Sequence, residues 1–121
     1  MKVKLETLIN AEGALNELAK QKLSIAVAYN VANLVKAFRQ EFEMCNEQRI
    51  KILVDMGCKL NETTHHYEVK ENQRTEFAER YIALMNTEVD VPEKINVSGE
   101  NISISPDKLL ELEPFIIYTA D

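Results

Sequence analysis

The chain has 121 residues, 45% of them hydrophobic and 28% charged, a balance that fits one globular domain and excludes a disordered polymer. Its net charge of −6 argues against a general nucleic-acid binder, which presents a basic stripe to phosphates. No apolar run reaches the roughly 18 residues of a membrane helix, the opening segment carries Glu6, Glu12 and Glu17 where a signal peptide needs an apolar stretch, and two cysteines are too few for a disulfide scaffold and fit a reducing cytosol.

Three glycines and three prolines interrupt the whole chain, which favours long elements over many short strands. Met1 to Leu5 alternates, with Val3 and Leu5 on one side and Lys2 and Lys4 on the other, and reads as a short strand. A helix is expected from Asn10, a good N-cap, with Ala11, Ala14, Leu15, Leu18 and Ala19 at helical spacing. Residues 23 to 29 fit an extended entry and a helix equally well.

From Tyr29 to Met56 the sequence predicts one long helix. The stretch contains no proline or glycine, and Gly57 stands where a C-terminal cap glycine belongs. Val31, Phe38, Cys45 and Ile52 form one row seven apart; Val35, Phe42 and Met56 form a second, interrupted by Arg49. Such a helix is on the order of 40 Å long, well beyond a globule whose radius of gyration is about 14 Å. A second copy of the chain is the simplest cover, so Val31, Leu34, Val35, Phe38 and Phe42 are expected to form a homo-oligomer interface.

Beyond Gly57, a polar, β-prone stretch carries His65 and His66 and predicts a short strand at Tyr67 to Val69. Residues 72–86 predict a helix with Phe77, Tyr81, Leu84 and Met85 on one face. Ile95 and Val97, the turn sequence Ser98-Gly99-Glu100-Asn101, then Ile102 and Ile104 predict a hairpin over 95–104. Ser105-Pro106 opens a short helix over 106–113, and Phe115 to Tyr118 is an apolar end that must be buried or paired. The expected fold is α+β and helix-dominated: a long helical hairpin with a small antiparallel sheet from the C-terminal third, in one domain over 1–121. A helical part over 1–57 precedes a mixed part over 58–121.

Chemistry is sparse. Cys45, Cys58, His65 and His66 are the available soft ligands, but thirteen positions separate the cysteines, whereas structural zinc sites use pairs about two to five residues apart. A Cys58 nucleophile with His65 or His66 as base is a second, equally weak arrangement. Glu41, Glu43 and Glu47 share a helix with Arg39, Arg49 and Lys51, as on a solvated, ion-paired surface. No phosphate-cradling glycine loop and no dinucleotide fingerprint occurs. The sequence therefore predicts no catalytic residue, no metal and no cofactor.

Charge is uneven, with nine Lys and Arg against seven Asp and Glu in residues 1–60, and five against thirteen in residues 61–121. Cations kept on the main helix point to a small-anion site, with Tyr29 offering an aromatic face and Lys36 and Arg39 the charge. The competing reading pairs Arg39 with Glu43 one turn on, a contact worth only about 0.3–0.5 kcal/mol.

The opening KVKLETLINAEGALNELAKQKL, the segment AYNVANLVKAFRQEFE and the ending ISISPDKLLELEPFI resemble a family of small proteins from phages and prophages of Gram-positive bacteria. The resemblance covers most of the chain in order, except Cys58 to Lys70, and assigns no residue a role. It implies a phage-encoded protein in the cytoplasm of the bacterial host. The expected function is binding: blocking a host defence protein, or sequestering a small anionic, nucleotide-type signal. A virion or tail-assembly component is the alternative, and an enzyme comes third.

Overall fold

A computed structural model describes residues 1–119. Its elements in order are β1 (Lys2–Lys4), α1 (Leu5–Asn10), α2 (Glu12–Ala19), α3 (Ile25–Asp55), β2 (Lys59–Asn61), β3 (His66–Glu68), a 3-10 turn (Glu71–Gln73), α4 (Arg74–Met85), β4 (Glu88–Asp90), β5 (Ile95–Asn96), α5 (Pro106–Leu112) and β6 (Ile116–Ile117). The fold is α+β and helix-dominated, as the sequence predicts. Among the described residues no helix is long and apolar enough to cross a membrane.

The axis of the molecule is α3, whose 31 residues span about 46 Å. It starts at Ile25, so the ambiguous stretch before Tyr29 is mostly helical. Its N-cap, Ser24, makes no capping bond of its own. Instead Glu100, from the other end of the chain, accepts from the Ser24 backbone N–H at 3.1 Å and from the Ser24 hydroxyl. A carboxylate there meets the positive end of the helix dipole. At the far end Gly57, with φ of 76°, occupies the left-handed conformation that glycine adopts without strain. The Gly57 N–H donates to the Val54 carbonyl and the Cys58 N–H to the Leu53 carbonyl, both at 2.9 Å. This is a Schellman closure, and Leu53 and Cys58 supply the apolar contact that accompanies it.

Two clusters hang on this rod. The main core gathers Leu8, Leu15 and Leu18 of the first two helices, Val31, Leu34 and Phe38 of α3, and Val97, Leu112 and Phe115 from the C-terminal third. The second is small: Leu5, Cys45 and Met85, with Ile9, Tyr81, Leu84 and Val89 around it. It joins the lower half of α3 to α4, which runs back along it. The α3–α4 pair is the expected helical hairpin, and Gln73 locks its turn. The Gln73 side chain donates to the Met56 carbonyl at 3.0 Å, while its oxygen accepts from the Lys70 N–H at 3.1 Å and the Cys58 thiol at 3.6 Å.

Three expectations are corrected. The residues assigned to an oligomer interface are covered by the chain itself: Val31, Leu34 and Phe38 are buried in the main core, and Val35 and Phe42 pack half-buried against it. The periodicity was that of a core stripe, and α1, α2 and the C-terminal third fold back over it. Second, the helix expected from Asn10 is present as α2, capped by Ala11, but a further helix, α1, precedes it and takes Leu5 and Asn10 from the expected strand end and N-cap.

Third, there is no hairpin over 95–104. Ile95 and Asn96 pair in parallel with Ile116 and Ile117, and the strand-like residues after the turn find another partner. The Gln21 side-chain amide donates to the Ser103 carbonyl at 3.2 Å and accepts from the Ser103 N–H at 3.1 Å. One side chain thus satisfies both backbone groups that a strand would have. The antiparallel pairs lie elsewhere: β1 with β4, placing Lys2 opposite Asp90 and Lys4 opposite Glu88, and β2 with β3. Opposite charges facing across a pair favour that register.

Candidate functional site

The C-terminal third builds a broad concavity. Helix α5 starts at Pro106, whose fixed φ suits the first helical position, and packs Leu112 into the main core at zero exposure. The chain turns at Glu113-Pro114 and returns as β6, anchored by buried Phe115 and Ile116. Between α5 and β6 lies a groove of about 590 Å³, lined by Leu109, Leu110, Ile116, Ile117 and Tyr118 and flanked by Lys94 and Glu113. Leu110 is 68% exposed, Ile117 45% and Tyr118 40%. The groove touches three successive residues, 116 to 118, and β6 pairs on one side only, with β5.

Lys94 also lines a second cavity, on the β5 side of the sheet. This cleft holds about 270 Å³ and is lined by Asn30 and Asn33 of α3 and by Pro92, Glu93, Lys94, Ile95 and Asn96. Asn30 and Asn33 are three apart, hence on one side of the helix. The groove is apolar and the cleft polar, and Lys94 stands between them.

The sequence-predicted ligand residues lie on the exposed surface of α3 and line no described cavity. Tyr29 is 69% exposed, and Lys36 and Arg39 are exposed as well. Tyr29 and Lys36 lie nearly in line along α3, about 10 Å apart along its axis, with Arg39 about 80° further round. Neither cavity includes any of the three. Tyr29 and Lys36 instead flank Asn33, four residues before and three after it.

The soft ligands are also dispersed. Cys45 sits in the small cluster, Cys58 is buried beside Gln73, and His65 and His66 lie exposed at the tip of the β2–β3 hairpin. Among the described residues no three His, Cys, Asp or Glu side chains converge as metal ligands do. Burial pushes the Cys45 thiol up, partly offset by the Arg49 charge one turn on. The Ser105 hydroxyl and the backbone N–H groups at the start of α5 hold the Asp107 carboxyl below its usual value. Neither group lines the groove or the cleft.

Leu110, Ile117, Tyr118, Lys94 and the three asparagines escape the sequence reading. Two signals pointed to them. Leu109, Leu110 and Leu112 cannot all face one core from a helix of seven residues. Asn30 and Asn33 are poor helix formers placed inside a long helix, where neither caps anything. Lys94 has no such signal, because its position follows from the pairing of β5 with β6.

No protein-family model, curated protein or solved structure matches the chain.

Proposed function

We propose that the protein acts by binding another protein, with the α5–β6 groove as its docking surface, and carries out no chemistry of its own. The observation that carries this reading is the cluster of exposed Leu110, Ile117 and Tyr118 in one groove, beside a strand that pairs on one side only. Contiguous exposed apolar surface of this kind marks interaction sites. A free strand edge offers main-chain hydrogen bonds to an extended segment, and the flanking apolar side chains offer it pockets. Neither of the two groups with displaced pKa values lines a cavity, which favours binding over acid–base work. The resemblance to phage proteins sets the partner in the bacterial host, a component of its defence.

A photo-reactive amino acid placed at Leu110 tests the reading in the bacterial cytoplasm. A discrete adduct with one host protein, lost when Ile117→Glu is added, supports it. Adducts no different from those at an exposed control position such as Glu43 overturn it. An adduct with a capsid or tail protein assigns the groove to particle assembly instead.

A further inference from the structure

We infer that the cleft between α3 and the β4–β5 connection is a binding site for a small phosphate monoester. The inference shares only Lys94 with the groove and does not depend on it.

Consider first the donors. Lys94 carries a charge that no carboxylate among the described residues neutralises. Asn96 accepts the Ser98 backbone N–H at 2.9 Å through its side-chain oxygen. That bond fixes which end of the amide is free, and the free end is the NH2 donor pair. Asn30 and Asn33 make no side-chain hydrogen bond among the described residues, so their amides can turn their NH2 groups toward a ligand. One lysine and three asparagines thus line a single cleft, offering more donors than a carboxylate can use and enough for the three terminal oxygens of a phosphate.

The rest of the lining argues for the same charge. Glu93 is the one carboxylate there, and its side chain is 86% exposed, turned out to solvent. The remaining charge of the cleft is positive. The walls are stiff: α3 on one side, and on the other β5, whose Ile95 N–H donates to the Phe115 carbonyl at 3.0 Å. A volume of about 270 Å³ lies just below the range of drug-sized pockets, room for a phosphate bearing one sugar. The net charge of −6 does not forbid this, since charges beyond about 8 Å are largely screened at physiological salt.

The test is a titration of the full 15N-labelled chain with ribose 5-phosphate, followed on the side-chain amide signals. Saturable shifts of the Asn30, Asn33 and Asn96 NH2 pairs are expected. Lys94→Ala, an exposed change that leaves the remaining spectrum in place, should weaken binding roughly tenfold, the loss typical of a charged hydrogen bond. Asn33→Leu should weaken it also, while Arg39→Ala and Leu110→Asp should leave it unchanged. Acetate at equal concentration should bind more weakly. The inference is overturned if the amide pairs do not shift, if Lys94→Ala binds as well as the native chain, or if acetate matches ribose 5-phosphate. Because Asn33 and Leu110 each belong to one cavity alone, failure here leaves the docking groove standing, and the reverse holds.

Discussion

Phe38, in the middle of α3, meets Phe115, four residues from the end of the described chain, edge to face with ring centroids 5.1 Å apart and planes at 71°. Phe42 joins Phe38 at 6.2 Å and 78°. This contact closes the C-terminal third over the long helix, and it occupies the side chain that seam periodicity would assign to a second copy.

Phe38→Ala and Phe115→Ala should each destabilise the protein by about 3–5 kcal/mol, because both side chains are essentially fully buried. The double variant should fall short of the sum, since an aromatic pair carries about 0.5–1.5 kcal/mol beyond its buried area. Denaturant unfolding of the four proteins measures both. Phe38→Glu should yield unfolded chain; a folded, soluble monomer from that variant would return Phe38 to an interface.

Leu110→Asp should change thermal stability little, within about ±0.5 kcal/mol, as for other exposed sites. Its host-protein adducts should nevertheless disappear when the photo-reactive group is moved to Ile117. A melting curve beside the cross-linking gel separates loss of fold from loss of docking.

The Cys45 thiol is raised above the ordinary 9.0 by burial. In the alkaline range the unfolded chain therefore ionises first and the folded chain keeps the proton. Stability is undiminished below pH 9.0 and declines as pH rises from there toward the folded value. Cys45→Ala should remove that part of the decline while costing some packing. Unfolding midpoints from pH 7 to 10 for both proteins show whether the slopes differ.

The adjacent histidines should respond differently to one substitution. His65 has φ of 59°, a left-handed conformation costly for branched side chains, whereas His66 is extended within β3. His65→Val should cost about 1–2 kcal/mol, and His66→Val should be nearly neutral. Equal costs in a thermal unfolding series would show that the hairpin turn relaxes freely.

What the sequence made legible was local. The unbroken pattern from Tyr29, the cap at Gly57 and the proline start of α5 each depend on neighbouring residues alone, and each is present. What it hid was pairing at a distance. Ile95–Val97 and Ile102–Ile104 alternate as hairpin strands do. The competition between the Gln21 side chain and β6 for their backbone groups involves positions 82 residues apart in one case and has no local trace. The candidate sites were hidden for the same reason. Lys94 shares a cleft with Asn30 and Asn33 because β5 is held by β6, and charge counted along the chain pointed to Lys36 and Arg39, which are exposed on the helix.

Because α3 threads both clusters, the molecule has unequal halves joined by a continuous backbone. The upper half is secured by residues from four helices and the C-terminal strand pair; the lower half rests on Leu5, Cys45 and Met85. A helix can melt from its end without disturbing distant turns. The arm formed by the lower part of α3, the β2–β3 hairpin and α4 should therefore open as a unit of its own. Its amides should exchange with solvent through partial openings that leave Val31 to Phe38 protected. The two cavities border the half that stays closed.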